Sequence, residues 1–226
     1  EEEERFYYGF SNEALWPLCH IVYVKPKFDE ADWLIYKSVN QKFANVVLEE
    51  VGSEKAFVFI QDYHFTLLPK MLKESRPDLL VAQFWHIPWP NREAFRICPW
   101  GHEILEGLLG NDLMGFHVQY HCNNFLDTVD RNLESRIDYG KFTATKGGKT
   151  THVRPFPISI DFEELNLLSQ EKDVENEMVR MKRELGLKGQ IIGVGLDRVD
   201  YTKGIPERFK AIDRFLEKYP EYRNKF

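Results

Sequence analysis

Residues 197–204, Asp-Arg-Val-Asp-Tyr-Thr-Lys-Gly, carry the strongest chemical signal in this sequence. Arg198 and Lys203 flank a tight turn that directly follows the apolar run 190–196. A guanidinium grips phosphate oxygens bidentately and an ammonium acts as a point charge, so the pair can hold a diphosphate. Each such charged hydrogen bond is worth about 1.5–3 kcal/mol. The competing reading is a solvated surface turn whose cations pair with Asp197 and Asp200. Asp62, after the apolar run 57–60, can accept hydrogen bonds from sugar hydroxyls, or it can simply cap a helix. His86 stands between apolar neighbours ahead of Pro88 and Pro90, a pattern for a rigid site loop or for a satisfied core histidine. Tyr7 and Trp16 lie in an aromatic cluster with Phe6, Tyr8 and Phe10. Aromatic faces pack on sugar rings and a Tyr hydroxyl reaches phosphate, although core packing accounts for most of such a cluster.

Several familiar chemistries are excluded. Gly148-Lys149-Thr150 resembles the end of a nucleotide-binding P-loop, but the required first glycine is Thr143. Gly193-Val194-Gly195 begins a dinucleotide fingerprint whose third glycine is Arg198. His117 and His121 have i, i+4 spacing without a third ligand, so no metal site is expected.

The elements that must position these residues follow from apolar spacing. Residues 32–50 place Tyr36, Val39, Phe43, Val46 and Val47 on one helical face, with Gly52 as a stop. Buried strands are expected at 56–60, 79–85, 113–116 and 190–196. Helices are expected near 67–74, 92–95, 103–109, 121–133, 174–185 and 207–218, the last opened by Pro206. Strands alternating with helices indicate a parallel sheet covered on both faces. Residues 142–156 break the pattern with a hairpin turning at Lys146-Gly147-Gly148-Lys149. Pro155, Pro157 and the acidic stretch that follows suggest a change of domain, placing one domain at 1–157 and another at 158–226. In an open parallel sheet ligands bind beyond the carboxyl ends of the strands, where Asp62, His86 and the 197–204 turn all fall.

Composition narrows the class further. Hydrophobic residues make up 43% of the 226, and 30 Lys and Arg stand against 36 Asp and Glu, a net charge of −6. An acidic chain without a basic run is no general nucleic-acid binder. The longest apolar candidate, 79–89, is interrupted by Gln83 and His86 and falls short of the roughly 20 residues a membrane span needs. The chain opens on four glutamates rather than a secretory signal, and Cys19, Cys98 and Cys122 form no C-x-x-C pair. A reduced, cytoplasmic protein is expected. The absence of an opening Met and of a capping signal at 222–226 suggests a fragment.

Taken in order, these segments resemble the trehalose-6-phosphate synthase family of glycosyltransferases. The matching stretches are Gly9-Phe10-Ser11-Asn12, Leu15-Trp16-Pro17-Leu18-Cys19-His20, Ile60-Gln61-Asp62-Tyr63-His64 with Leu68-Pro69, His86-Ile87-Pro88-Trp89-Pro90, Asp112-Leu113-Met114-Gly115-Phe116, and the run from Asp197 to Phe209. The resemblance implies an α/β fold of the glycosyltransferase B type, two Rossmann-like domains, with most of the first and the start of the second present here. It implies retaining transfer of glucose from UDP-glucose, or another nucleotide glucose, to glucose 6-phosphate. Tyr7, Trp16 and Asp62 match acceptor contacts, His86 a donor-glucose contact, and Arg198 and Lys203 the cations on the donor diphosphate. Arg198, Lys203 and His86 are thus the expected catalytic set, with no metal and no cofactor beyond the donor. The partners implied are a nucleotide sugar and a sugar phosphate; neither nucleic acid nor membrane is expected, and a homo-oligomer is left open. Trp85, Trp89 and Cys19 depart from the family's usual residues, which bears on sugar selectivity. The family's glycine-rich opening loop and much of its second domain lack counterparts here, so the isolated chain is expected to be incomplete. Two alternatives stand beside this reading: a related enzyme that glucosylates glycerol 3-phosphate, and a non-catalytic sugar-phosphate-binding homologue.

Overall fold

Short apolar runs bounded by turn residues become the parallel strands of the first unit. The computed structural model describes residues 1–21 and 24–226, and the chain divides into two compact units, Glu1–Ile158 and Ser159–Phe226. In the first unit β1 (Phe57–Gln61), β2 (Leu80–Trp85), β3 (Leu113–Phe116) and β6 (Lys149–Pro155) run parallel. β4 (Arg136–Asp138) and β5 (Thr143–Lys146) add antiparallel strands, giving the order β1-β2-β3-β6-β5-β4. The expected hairpin forms, with Gly147 and Gly148 at φ 57° and 78°, values that cost glycine nothing.

Helices α2 (Glu30–Val51), α3 (Leu68–Ser75), α5 (Gly101–Leu108) and α6 (Gln119–Asn132) correspond to expected segments, as does the single turn α4 (Arg92–Phe95). Asp29 caps α2 through the Ala31 and Asp32 amides, and Gly52 ends it at φ 54°. Of the predicted stripe on α2, Tyr36 and Val39 are buried whereas Phe43 and Val46 are exposed. The N-terminal aromatic cluster, to which the sequence assigned no element, is a π-helical segment (Glu4–Leu15) running into α1 (Trp16–His20). It buries Phe10, Ala14 and Leu15.

Alternation puts Ile60, Val81, Trp85, Met114, Phe116 and Val153 into the helix-packed core. A fully buried side chain of this size stabilises by roughly 1.5–3 kcal/mol. The expectation that the strands are covered on both faces is not met at β1 and the start of β2. Phe57 and Phe59, on the other face of β1, are 65% and 58% exposed, and Leu80 is exposed beside them. Strand length and apolar content cannot distinguish one covered face from two, because β1 is apolar at every position except Gln61.

Glu106 on α5 ties elements together by accepting from Lys70 on α3 at 2.8 Å and Lys146 on β5 at 2.9 Å. Hydrogen bonds from Lys70, then Lys146, hold its carboxyl down to about 2 from the ordinary 4.5. A depressed carboxyl stabilises above its unfolded value and loses that contribution as pH falls through the folded one. Glu106→Gln is therefore expected to cost up to roughly 1 kcal/mol at pH 7, because the pairs are partly exposed. The difference from wild type should shrink as pH falls from about 4.5 towards about 2. Urea unfolding at pH 7 and pH 3 measures it, and an unchanged gap would count against the ion pairs as its source.

The second unit is built from α7 (Phe162–Leu168), α8 (Lys172–Glu184) and α9 (Ile205–Lys218). The predicted buried strand at 190–196 is not formed, and Val194 and Leu196 are 90% and 94% exposed. A strand exists only by pairing, and among the described residues this unit holds no other strand. The segment keeps one backbone bond, from the Ile191 amide to the Lys225 carbonyl at 2.6 Å.

Candidate functional site

Strand register aligns the carboxyl ends of β1, β2 and β3, since Gln61 pairs with Phe84 and Trp85 with Phe116. The residues just past these ends, Asp62, His86 and His117, are therefore neighbours. The His86 amide donates to Asp62 Oδ1 at 3.2 Å, and His86 Nε2 lies 2.7 Å from Gln61 Oε1. The His86 ring meets those of Phe84 and His117 at centroid distances of 4.7 and 5.9 Å. His86 is exposed at the strand end, which overturns the alternative of a buried core histidine.

Asp62 is not a side-chain helix cap. It precedes a 3-10 turn, Tyr63–Phe65, without capping it, at φ 64° and ψ −173°. Only glycine visits that region freely, and a side chain held there costs of order 1–3 kcal/mol. Burial pushes the Asp62 carboxyl up, opposed by the His86 amide.

Around Asp62 the aromatic cluster supplies rings. Trp16 and Tyr63 are 5.9 Å apart, Tyr63 stacks on His64 at 4.2 Å, and His64 stacks on Tyr7 at 5.3 Å with planes only 5° apart. Tyr63 donates to Asn12 Oδ1 at 3.0 Å. Burial lowers the His64 pKa, favouring the neutral ring. Among the described residues, Trp16 Nε1 and His64 Nε2 are enclosed yet have no hydrogen-bond partner. Leaving such a group unpaired costs about 1–3 kcal/mol.

The structure thus brings Tyr7, Trp16, Asp62 and His86 to one end of the first sheet. Gln61, Tyr63, His64 and His117 join them, although sequence reasoning did not single them out as site residues. A signal for the first three was present, since 61–64 already falls at a strand end. His121 Nδ1 instead lies 3.3 Å from the Trp89 carbonyl.

Arg198 and Lys203 belong to the second unit. Asp200 accepts from the Thr202 amide at 2.8 Å and the Thr202 hydroxyl at 2.6 Å, shaping the turn Tyr201–Lys203, which Gly204 closes at φ 61°. Asp197 pairs with Arg208 rather than with Arg198. Both Arg198 and Lys203 are exposed, and among the described residues neither is held in an ion pair.

Comparison with known proteins agrees with this architecture. A trehalose-6-phosphate synthase of Mycolicibacterium vanbaalenii is 40% identical over 224 residues, covering 96% of this chain and 45% of that protein. An alpha,alpha-trehalose-phosphate synthase (UDP-forming) from Burkholderia xenovorans, solved in complex with glucose-6-phosphate, superposes with a TM-score of 0.86 at 29% identity, over 99% of this chain and 49% of that one. A structure described as trehalose-6-phosphate from E. coli bound with UDP-2-fluoro glucose superposes with a TM-score of 0.85 at 30% identity, with the same coverage. The expected glycosyltransferase B type of α/β fold is that of these neighbours, and the chain spans about half the length of the relatives it matches. With all of residues 1–226 matching the family's profile, the chain belongs to glycosyltransferase family 20.

Proposed function

We propose that the full-length protein containing this chain is a retaining glucosyltransferase that moves glucose from UDP-glucose, or a related nucleotide glucose, to glucose 6-phosphate, forming trehalose 6-phosphate. The first unit is the acceptor domain and the second begins the nucleotide-sugar domain. Tyr7, Trp16 and Asp62 hold the acceptor, His86 contacts the donor glucose, and Arg198 with Lys203 receives the diphosphate. In the reaction the acceptor's anomeric oxygen bonds to donor C1 as the C1–diphosphate bond breaks. The acceptor's proton passes to the departing diphosphate on the same face. Preorganised cations stabilise the charge that builds there, so no metal is needed.

The observation that carries this reading is at Asp62. A partly buried carboxyl accepts from the His86 amide and adjoins Tyr63, whose ring contacts those of Trp16 and His64. A carboxylate beside aromatic rings suits a hydroxyl-rich ligand, whose hydroxyls donate to the one while its ring packs on the others. Among the described residues no helix is long and apolar enough to cross a membrane. The reading places the protein in the cytoplasm, where sugar phosphates and nucleotide sugars are present together.

The test is turnover by the full-length protein with UDP-glucose and either glucose 6-phosphate or glycerol 3-phosphate, with and without EDTA. A glucosylated glucose 6-phosphate retaining the donor's α configuration, formed equally in chelator, is the expected result. Binding of both substrates without product would sink the reading in favour of a non-catalytic homologue. Preference for glycerol 3-phosphate would reassign the acceptor.

A further inference from the structure

Three successive carbonyls, those of Asp62, Tyr63 and His64, are each gripped by a different buried side chain. Gln83 Nε2 donates to the Asp62 carbonyl at 2.8 Å, the Tyr36 hydroxyl to the Tyr63 carbonyl at 2.7 Å, and Asn40 Nδ2 to the His64 carbonyl at 3.2 Å. Tyr36 and Asn40 are 0% exposed and Gln83 is 1% exposed. We infer that Tyr36, Asn40 and Gln83 are positioning residues, which set acceptor affinity by holding Asp62 in a backbone geometry that only glycine adopts freely.

The inference rests on the proposal that Asp62 binds the acceptor, and its physical argument is one of over-determination. A non-glycine residue at φ 64° and ψ −173° persists only where its surroundings leave no alternative. The Asp62 amide is tied to the Phe84 carbonyl at 2.7 Å, so the backbone is fixed on the upstream side. Downstream, the Tyr36 hydroxyl gives its single proton to the Tyr63 carbonyl. It accepts in turn from the Thr66 amide at 3.0 Å, and the Thr66 hydroxyl is 2.9 Å away. Asn40 works at both ends of its amide, since Oδ1 accepts from the Leu67 and Leu68 amides at 3.2 Å each. Gln83 is itself oriented by Asn111 Nδ2, 3.0 Å from its Oε1. Helix α2 and strand β2 thus hold the loop from behind, and every donor has its geometry set by a second bond.

Removing one donor while keeping its volume lets the loop relax towards ordinary backbone angles and carries the Asp62 carboxylate off its target. In the full-length protein, Tyr36→Phe is expected to raise the acceptor KM roughly three- to tenfold, the range of one neutral hydrogen bond, with the donor KM within twofold of wild type. Gln83→Met should do the same and serves where Tyr36→Phe fails to fold. Asp62→Asn is the reference variant. An acceptor KM that moves with Asp62→Asn but not with folded Tyr36→Phe or Gln83→Met overturns the positioning role alone, even if Tm falls. Equal rises in both KM values also overturn it, pointing to general loosening. If Asp62→Asn leaves the acceptor KM unchanged, the acceptor assignment and this inference fall together.

Discussion

Arg198→Ala in the full-length protein is expected to lower kcat by about 10²–10³-fold, the loss seen when one preorganised group facing developing charge is removed. Arg198 is exposed, while its neighbour Asp197 is engaged with Arg208. Removing an exposed cation that, among the described residues, is held in no ion pair should change folding stability by less than about 0.5 kcal/mol. A loss of turnover with unchanged Tm would then report on the reaction and not on the fold. Lys203→Ala should behave similarly. Arg198→Lys should recover little, because a point charge cannot reproduce the bidentate fork. Since the leaving group's charge grows along the reaction coordinate, the loss should fall mainly on kcat and less on donor KM. Full turnover by Arg198→Ala would remove the diphosphate role.

The second large effect is at Asp62. Asp62→Asn is expected to reduce kcat/KM for the acceptor by roughly 10–100-fold, the range of one hydrogen bond to a charged group. The carboxyl is partly buried and held up by desolvation, so its charge is poorly screened and a sugar hydroxyl donating to it gains accordingly. Asp62→Gly separates binding from strain. It deletes the carboxylate but suits φ 64° and ψ −173°, so it should lose at least as much activity while being no less stable than Asp62→Asn. Stability of the two variants is read from urea midpoints alongside the kinetics. A glycine variant markedly less stable than the asparagine one would show that the backbone there is not strained.

Much of the fold was legible because its local determinants are strong. The spans of β2 and β3, the Gly147-Gly148 hairpin, and helix α2 with its Gly52 stop all rest on short-range patterns in which turn chemistry and apolar period agree. The misses share a different cause. The strand expected at 190–196 has the right composition but no partner within its unit, and the open face of β1 depends on what packs above it. The N-terminal aromatic cluster folds as a π-helical segment, a winding too rare for residue types alone to announce.

The residue types by themselves determined the candidate chemistry: cations beside a glycine turn, a carboxylate and a histidine after apolar strands, and aromatics near the start. Where each of them sits, and what surrounds it, depended on tertiary structure. Register alone makes Asp62 and His86 neighbours across 24 residues, and only the folded core shows that three distant side chains grip the carbonyls of 62–64. The physical reason is that propensity and hydrophobic period act over a few residues. Backbone strain, enclosed unpaired atoms and contacts between strand ends arise only when remote segments pack against one another.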